Sequence, residues 1–257
     1  ARIEKEIRAP LFHRSPTGLV PTSVAKYMVA EAKTLQSQIR GIKRHVELMT
    51  QLETGRISVG VGPIIEQLLL PEILSRYVDD TGDIQISIVT EDNETLVRLF
   101  ENSQLDIVIG PLSAEQVNLN VLSIPMIKDE IVAVARTGHP LFDLEEVLPA
   151  DFRKYQVVIP KSQGTIRRPK SGSLLRSPKI RFDNYSLLKV LTCDTDVVCA
   201  GPRGIFNEEL LANKLRIVDI SLDTFWESAL IVREESLATP LVSHFVNLCK
   251  AIIKKNV

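Results

Sequence analysis

Turns follow three segments in which polar and apolar side chains alternate, at points where ligand-binding turns commonly lie. Pro63-Ile64-Ile65 follows the first segment, Glu91-Asp92-Asn93 the second, and Ser162-Gln163-Gly164-Thr165 a later one. A helix that begins at such a turn presents free backbone N–H groups and the positive end of its dipole. These turns could therefore hold a small anionic or polar molecule, although helix caps of the same residue types also occur without any ligand.

Spacings typical of enzymatic or metal chemistry do not occur in the sequence. There is no GxSxG, no P-loop and no complete GxGxxG, and Gly60-Val61-Gly62 predicts only a tight strand-to-helix turn. The acids Asp106 and Asp183 have no partner defined by spacing, and the three cysteines and four histidines have no metal-ligand spacing. The sequence thus predicts a protein that is not an enzyme and needs no metal or cofactor.

From Arg56 onward, strand and helix patterns alternate. Strands are predicted at Arg56–Val61, Ile84–Val89 and Leu105–Ile109, with helices at Ile64–Tyr77 and Glu94–Glu101 between them. This order predicts a parallel sheet covered by helices. The later predicted elements are strands at Glu130–Ala135, Gln156–Ile159, Lys179–Phe182, Val197–Cys199, Arg216–Ile220 and Ala229–Val232, and a helix at Pro240–Lys254.

Two crossings between halves of the chain explain this element order best. The chain leaves a first lobe near Met126–Ala133 and returns to it near Glu227–Val232. Paired crossings of this kind form a hinge, with a ligand cleft between the lobes at the carboxyl ends of the strands. We therefore predict an α/β fold of two Rossmann-like lobes joined by a hinge.

A long helix is predicted before the first strand, from Pro21-Thr22 to Thr54-Gly55. Its apolar residues recur in alternating steps of four and three, which is typical of a coiled-coil seam. These residues are Met28, Ala32, Leu35, Ile39, Ile42, Val46 and Met49. The sequence favours a dimerisation helix; a long amphipathic helix packed on its own domain is the alternative.

The net charge of −1 conceals an asymmetry along the chain. Residues 1–55 contain nine basic and five acidic side chains, a net charge of +4, and residues 56–257 contain 22 basic and 27 acidic ones, a net charge of −5. A basic N-terminal arm therefore precedes an acidic body. The longest apolar stretch, Val59–Leu70, is too short for a membrane span and no secretory signal is present, so we expect a cytoplasmic protein.

Several short strings, in this order and spacing, resemble LysR-type transcriptional regulators over essentially the whole chain. Pro10-Leu11-Phe12, Arg14, Gly18 and Thr22 resemble the end of that family's winged helix-turn-helix. The other matching strings are Gly55–Gly60, Leu70-Pro71 with Leu74, Leu105–Ile109, Val132–Pro140 and Ala200–Arg203. The resemblance implies a transcription factor whose effector-binding domain has a type 2 periplasmic-binding-protein-like fold.

Two departures from the family pattern shape our expectations. Ala1–Ile7 resembles the end of the recognition helix, so the preceding DNA-contacting helices are absent and DNA binding by this chain should be weak or absent; Arg14 and Thr17 lie at the wing. Ile64 stands where the family commonly offers a hydroxyl, so we expect a ligand with an apolar part against it. The effector-binding residues expected from the turns and the resemblance together are Pro63, Ile64, Asn93, Gly110, Ser162, Gln163, Thr165 and Pro202.

The resulting prediction is a DNA-binding transcriptional regulator controlled by a small effector bound between the lobes. It would act as a homodimer or homotetramer on double-stranded DNA, without membrane association. A solute-binding protein of the same fold is the alternative. The predicted domains are a winged-helix remnant at 1–21, a coiled-coil linker at 22–54 and an effector-binding domain at 55–257, with lobe I at 55–128 and 232–257 and lobe II at 129–231.

Overall fold

The structure is a computed structural model. It describes residues 2–15, 18–50, 56–80, 85–148, 150–159, 180–181, 184–220, 222 and 224–256.

The N-terminal segment is a short helix followed by a hairpin. Helix α1 spans Arg2–Ile7. Strands β1 (Phe12–Ser15) and β2 (Gly18–Pro21) pair antiparallel. The Leu11 amide donates to Glu4 Oε1 over 2.8 Å, which ties the hairpin to α1.

Helix α2 spans Ser23–Thr50 and leads from the hairpin toward the α/β body. Thr22 is its N-cap, because the Ala25 amide donates to Thr22 Oγ1 over 3.2 Å. The same hydroxyl donates to the Pro10 carbonyl over 2.9 Å. One side chain therefore both starts the helix and closes the hairpin, and the predicted helix start is confirmed.

The first lobe is built on three parallel strands, β3, β4 and β5, with β3 in the centre. Its elements are β3 (Arg56–Val61), α3 (Pro63–Leu68), α4 (Leu70–Asp80), β4 (Gln85–Thr90), α5 (Asn93–Glu101) and β5 (Ile107–Gly110). The single helix predicted at Ile64–Tyr77 is wrong, since two helices meet at Leu69. Pro71 explains the break, because a proline cannot donate to the carbonyl four residues earlier and its ring clashes with that carbonyl.

Two long antiparallel strands join the lobes. Strand β6 covers Val121–Arg136 and pairs with β11, Phe225–Arg233. The predicted strand Glu130–Ala135 was too short because Pro125 interrupts the pattern. Opposite this proline the pairing register shifts between Glu227 and Ala229, and Ser228 Oγ accepts the Ile127 amide over 3.2 Å.

The second lobe repeats the parallel arrangement, with β7 lying between β8 and β9. Its elements are β7 (Gln156–Ile159), β8 (Ile180–Arg181), α6 (Tyr185–Asp194), β9 (Val197–Pro202), α7 (Asn207–Leu211) and β10 (Leu215–Ile217). Strands β9 and β10 pair with the second half of β6. The final helix α8 (Pro240–Asn256) returns to α4 of the first lobe, where the rings of Tyr77 and Phe245 meet at 6.1 Å. The predicted two-lobed α/β fold is confirmed.

Gly60 is required by packing rather than by a turn. It lies inside β3, and a Cβ at this position would come within 2.5 Å of Leu105 Cδ1 and 2.7 Å of Leu96 Cδ2. Helix α5 therefore packs directly on the β3 backbone. The turn predicted at Gly60-Val61-Gly62 begins only at Gly62, the N-cap of α3.

Candidate functional site

The turns after the parallel strands of the first lobe lie side by side. The Gly62 amide donates to the Ile109 carbonyl over 3.0 Å, and the Glu91 amide donates to the Val61 carbonyl over 3.2 Å. These bonds align the carboxyl ends of β3, β4 and β5 at one edge of the sheet. This is the edge at which open α/β sheets bind ligands.

A cavity of about 630 Å³ opens at this edge between the two lobes. The first lobe contributes α3 and the turn between β4 and α5, and the second lobe contributes the start of α6. We call this cavity the interlobe cleft. Its lining residues are Pro63, Glu66, Gln67, Thr90, Glu91, Asp92, Asn184, Tyr185 and Ser186. The cleft is therefore made by both lobes, as a site that responds to lobe closure requires.

Asn93 fixes the geometry of the cleft wall instead of lining it. Its Nδ2 donates to the Pro111 carbonyl over 3.0 Å, and its Oδ1 lies 3.6 Å from the position that a Cβ on Gly110 would occupy. The neighbouring Asp92 accepts the Thr95 amide over 2.9 Å and caps α5. The structure thus brings the predicted residues Asn93 and Gly110 together at one strand edge.

The second lobe meets the cleft through the start of α6. Asn184 is the N-cap of this helix and accepts the Leu187 amide over 3.0 Å. Tyr185 is fully buried, and Ser186 next to it is exposed. The cap turns Asn184 and Ser186 toward the same cavity as the first lobe's turns.

The hinge contains a half-buried contact between the crossing strand and the second lobe. Asp129 Oδ2 on β6 accepts the Gly204 amide over 2.7 Å. Burial raises the pKa of the Asp129 carboxyl above its ordinary value, although this hydrogen bond opposes the change. A Cβ on Gly204 would lie 3.1 Å from Leu68 Cδ2 of α3, so this segment touches both lobes.

The remaining effector-binding residues expected from the sequence lie in different surroundings. Pro63 lines the cleft, whereas the Ile64 side chain is only 5% exposed and packs in the hydrophobic core. Pro202 is buried at the end of β9 and is paired with Ile131. Ser162, Gln163 and Thr165 lie outside the described residues, as do Thr17 and Asp183.

Sequence reasoning missed the cleft residues contributed by the second lobe, Asn184, Tyr185 and Ser186. Their signal was an asparagine directly before the apolar positions Leu187 and Leu188, which is typical of a helix N-cap. It also missed Glu66 and Gln67 of α3. Which face of α3 turns away from the core depends on packing across the lobes, and the local sequence pattern of one element does not reveal that packing.

Asp106 and His139 have structural roles. Asp106 is buried, and its Oδ2 accepts the Ser58 amide over 2.7 Å while its own amide donates to the Ser58 carbonyl over 2.8 Å. His139 is fully buried, and its Nδ1 accepts the Leu141 amide over 3.0 Å. Within the described part of the chain, no group of three or more potential metal ligands is present, and no helix there is both long and apolar enough to cross a bilayer.

The N-terminal elements carry the residues predicted for DNA binding and dimerisation. Arg14 is exposed on β1 of the hairpin, opposite Leu19. The predicted seam of α2 is open to solvent in the single chain: Leu35, Ile39, Ile42 and Val46 are 59%, 56%, 66% and 52% exposed. Met28 is half-buried, and nothing is described of the Met49 side chain.

A family model for the LysR substrate binding domain matches residues 50–253. The chain belongs to this family. The resemblance seen in the sequence is thereby confirmed, and it extends across both lobes and the cleft.

Relatives and solved structures agree with the family assignment. The chain is 22% identical over 226 residues to the SDS degradation transcriptional activation protein of a Pseudomonas species, covering 85% of this chain and 73% of that protein. It is 21% identical over 221 residues to the HTH-type transcriptional regulator GalR of Pseudomonas putida, covering 83% of this chain but 55% of that protein. The structure of CrgA, a LysR-type regulator from Neisseria meningitidis, matches with a TM-score of 0.63 at 13% identity over 97% of this chain and 86% of that one.

Proposed function

We propose that this chain is the linker and effector-binding part of a transcriptional regulator that binds double-stranded DNA as a homodimer or homotetramer. The observation that carries the proposal is the exposed seam of α2. More than half of the surface of each of Leu35, Ile39, Ile42 and Val46 is exposed in the single chain. A regular apolar row of this kind is stable in water when a second helix covers it.

The elements at the two ends of α2 support this function. At its start, Arg14 is exposed on the hairpin, which supports its proposed contact with a DNA phosphate, and Thr17 belongs to the same wing in the sequence. After its end, the two lobes enclose the interlobe cleft. The relatives described above are transcriptional regulators, which supports a regulator over a solute-binding protein of the same fold.

The proposed mechanism is a shift between lobe arrangements. A small effector in the interlobe cleft favours the arrangement that it contacts best, and α2 passes the difference to paired DNA-binding heads. In this proposal Pro63 contacts the effector directly, and Asn93 and Gly110 hold the cleft wall. Pro202 positions the segment that carries Gly204, and Ser162, Gln163 and Thr165 remain predicted contacts.

The proposal gives the chain no enzymatic activity. The relatives are named as regulators. Of the two acids singled out in the sequence, Asp106 and Asp183, the structure describes Asp106. Its carboxylate accepts a hydrogen bond from the Ser58 amide.

The mass of the chain in solution tests the proposal. At micromolar concentration we expect a dimer or tetramer of the 28.7 kDa chain by sedimentation or light scattering. Ile39→Asp should convert it to a monomer, because a charge in a buried seam is strongly unfavourable. A wild-type monomer would contradict the proposal and favour the solute-binding alternative.

A matched variant separates the seam from general effects of a charged substitution. Tyr27 is 67% exposed and lies one residue before the first seam position. Tyr27→Asp should therefore leave the oligomer intact. If Tyr27→Asp and Ile39→Asp dissociate the chain equally, the seam does not form the interface.

A further inference from the structure

The charged side chains that line the interlobe cleft, among the residues that the structure describes, are all of one sign. Glu66, Glu91 and Asp92 supply three carboxylates, and none of the described lining residues is basic. The other lining residues with exposed or half-buried polar side chains, Gln67, Thr90, Asn184 and Ser186, are neutral. An anion that entered this cleft would meet like charge, and a cation would meet opposite charge.

Two of the three helices that start at this edge of the sheet, α5 and α6, carry a side-chain cap. Helix α3 begins with Pro63, which has no N–H. The Thr95 amide of α5 donates to Asp92, and the Leu187 amide of α6 donates to Asn184. At α5 and α6 the cap side chains of Asp92 and Asn184 thus occupy the place where an anion would bind, and at α3 the first helical residue offers no donor.

Asp92 and Asn184 have a second consequence for ligand choice. One oxygen of each side chain accepts the hydrogen bond that caps its helix. Asp92 lines the cleft from the first lobe, and Asn184 lines it from the second. Both lobes therefore contribute oxygen acceptors to the lining of the cavity. A ligand with N–H donors and a positive charge can satisfy acceptors on both lobes at once, and this would favour the arrangement in which the lobes are close together.

From these observations we infer that the interlobe cleft binds a small cationic molecule, an amine or a guanidinium compound, held mainly by Glu66, Glu91 and Asp92. This inference rests on the proposed function and replaces the small anionic or polar ligand expected from the turns alone. Ile64, which is buried in the core, is not part of the contact surface. The ligand is recognised through its charge and its N–H donors.

Calorimetry and thermal unfolding of this chain with three small probes of equal length test the inference. The probes are a four-carbon diamine, a four-carbon dicarboxylate and a four-carbon diol, each at about 10 mM so that millimolar affinity is detected. The diamine should raise the melting temperature and give a binding isotherm, while the dicarboxylate and the diol should do neither. Binding of the dicarboxylate in preference to the diamine, or no binding of the diamine, would overturn the inference.

Variants locate the binding to the cleft. Glu66→Gln and Glu91→Gln should each weaken diamine binding by about tenfold, because each removes one opposite charge and keeps the shape of the side chain. Glu115→Gln, an exposed acid outside the cleft lining, should leave the affinity unchanged. Equal weakening by all three variants would show a nonspecific charge effect and overturn the assignment to the cleft.

The outcome separates this inference from the proposed function. If a dicarboxylate binds in the cleft and the chain is a dimer, the ligand class is wrong and the regulator proposal stands. If the diamine binds as described and the chain is a monomer, the ligand class stands and the regulator proposal fails.

Discussion

The Gly204 amide donates a 2.7 Å hydrogen bond to Oδ2 of Asp129, and this bond joins the long crossing strand to the segment after β9. The same segment touches Leu68 of the first lobe. Because these contacts lie where the chain passes between the lobes, they are suited to set the lobe arrangement that a ligand in the cleft would select. Substitutions of Asp129 and Gly204 should therefore change the free energy of unfolding, and the structure predicts whether each one raises or lowers it.

Asp129→Asn should stabilise the protein relative to wild type as the pH rises. Burial raises the folded-state pKa of Asp129 above its ordinary value of 3.8, so the folded state holds this proton more tightly than the unfolded state. Wild-type stability is therefore lost as the pH rises from 3.8 through that raised pKa, and asparagine has no such dependence. Melting temperatures at about pH 3.5 and pH 7 should show a growing advantage for the variant.

An exposed acid provides the control for this experiment. Asp143→Asn removes one negative charge from the surface. The pH-dependent gain of Asp129→Asn should exceed any change produced by the control. An advantage that shrinks with rising pH would contradict a raised pKa of Asp129 in the folded state.

Gly204→Ala should destabilise the observed arrangement by about 1 kcal/mol or more, because overpacking of a close contact costs about that amount. The added Cβ would lie 3.0 Å from Asp129 Oδ2 and 3.1 Å from Leu68 Cδ2. Urea unfolding measures the change. Gly201→Ala is the matched control, since its Cβ would meet Phe206 at an ordinary 3.4 Å, and equal losses in both variants would count against a specific contact.

Gly41 and Ser103 connect α2 to the first lobe. A Cβ on Gly41 would lie 2.7 Å from Ser103 Oγ and 3.3 Å from Ser103 Cβ. Gly41→Ala gains about 1 kcal/mol of helix propensity, which this contact should offset. In the background of Ser103→Gly, which removes both atoms and suits the residue's φ of 54°, the full gain should appear.

A double-mutant cycle measured by urea unfolding tests this connection. We expect a coupling free energy of about 1 kcal/mol between the two positions. An equal effect of Gly41→Ala in both backgrounds would mean that α2 does not rest on this turn.

The three cysteines should react slowly in the folded protein. Burial raises the pKa of Cys199 and of Cys249 to about 12, and it also raises the pKa of the half-buried Cys193. The thiolate that reacts with alkylating agents and peroxide is therefore scarce at neutral pH. Iodoacetamide at pH 8 should label Cys193 first and the other two only after unfolding; rapid labelling of Cys199 or Cys249 would contradict their burial.

The two-lobed fold could be predicted from local patterns because strands and helices alternate along the chain in each lobe, which is typical of a parallel sheet. Strand β3 was predicted at its observed bounds, Arg56–Val61, since its alternation is uninterrupted. Strand β6 was predicted at less than half its length. Pro125 interrupts its sequence pattern, and its first half is defined by pairing with the distant strand β11. Pairing between segments about a hundred residues apart leaves little trace in a local pattern.

The candidate site was predictable to the level of its turns but not of its side chains. The sequence located the turns at Pro63 and Asn93, and the structure confirms that they meet at one edge. It did not reveal that Ile64 packs inward or that Asn93 bonds to Pro111. Those details depend on which face of each turn the neighbouring strand covers.

Titration of the full-length protein on the DNA upstream of its own gene, with and without the four-carbon diamine, tests the central claim most directly. The account predicts a specific shift that unrelated DNA of the same length does not give, an affinity that changes when the diamine is present, and loss of the shift in Ile39→Asp. Equal affinity for both DNAs, or an affinity that neither the diamine nor any other small metabolite changes, would contradict it.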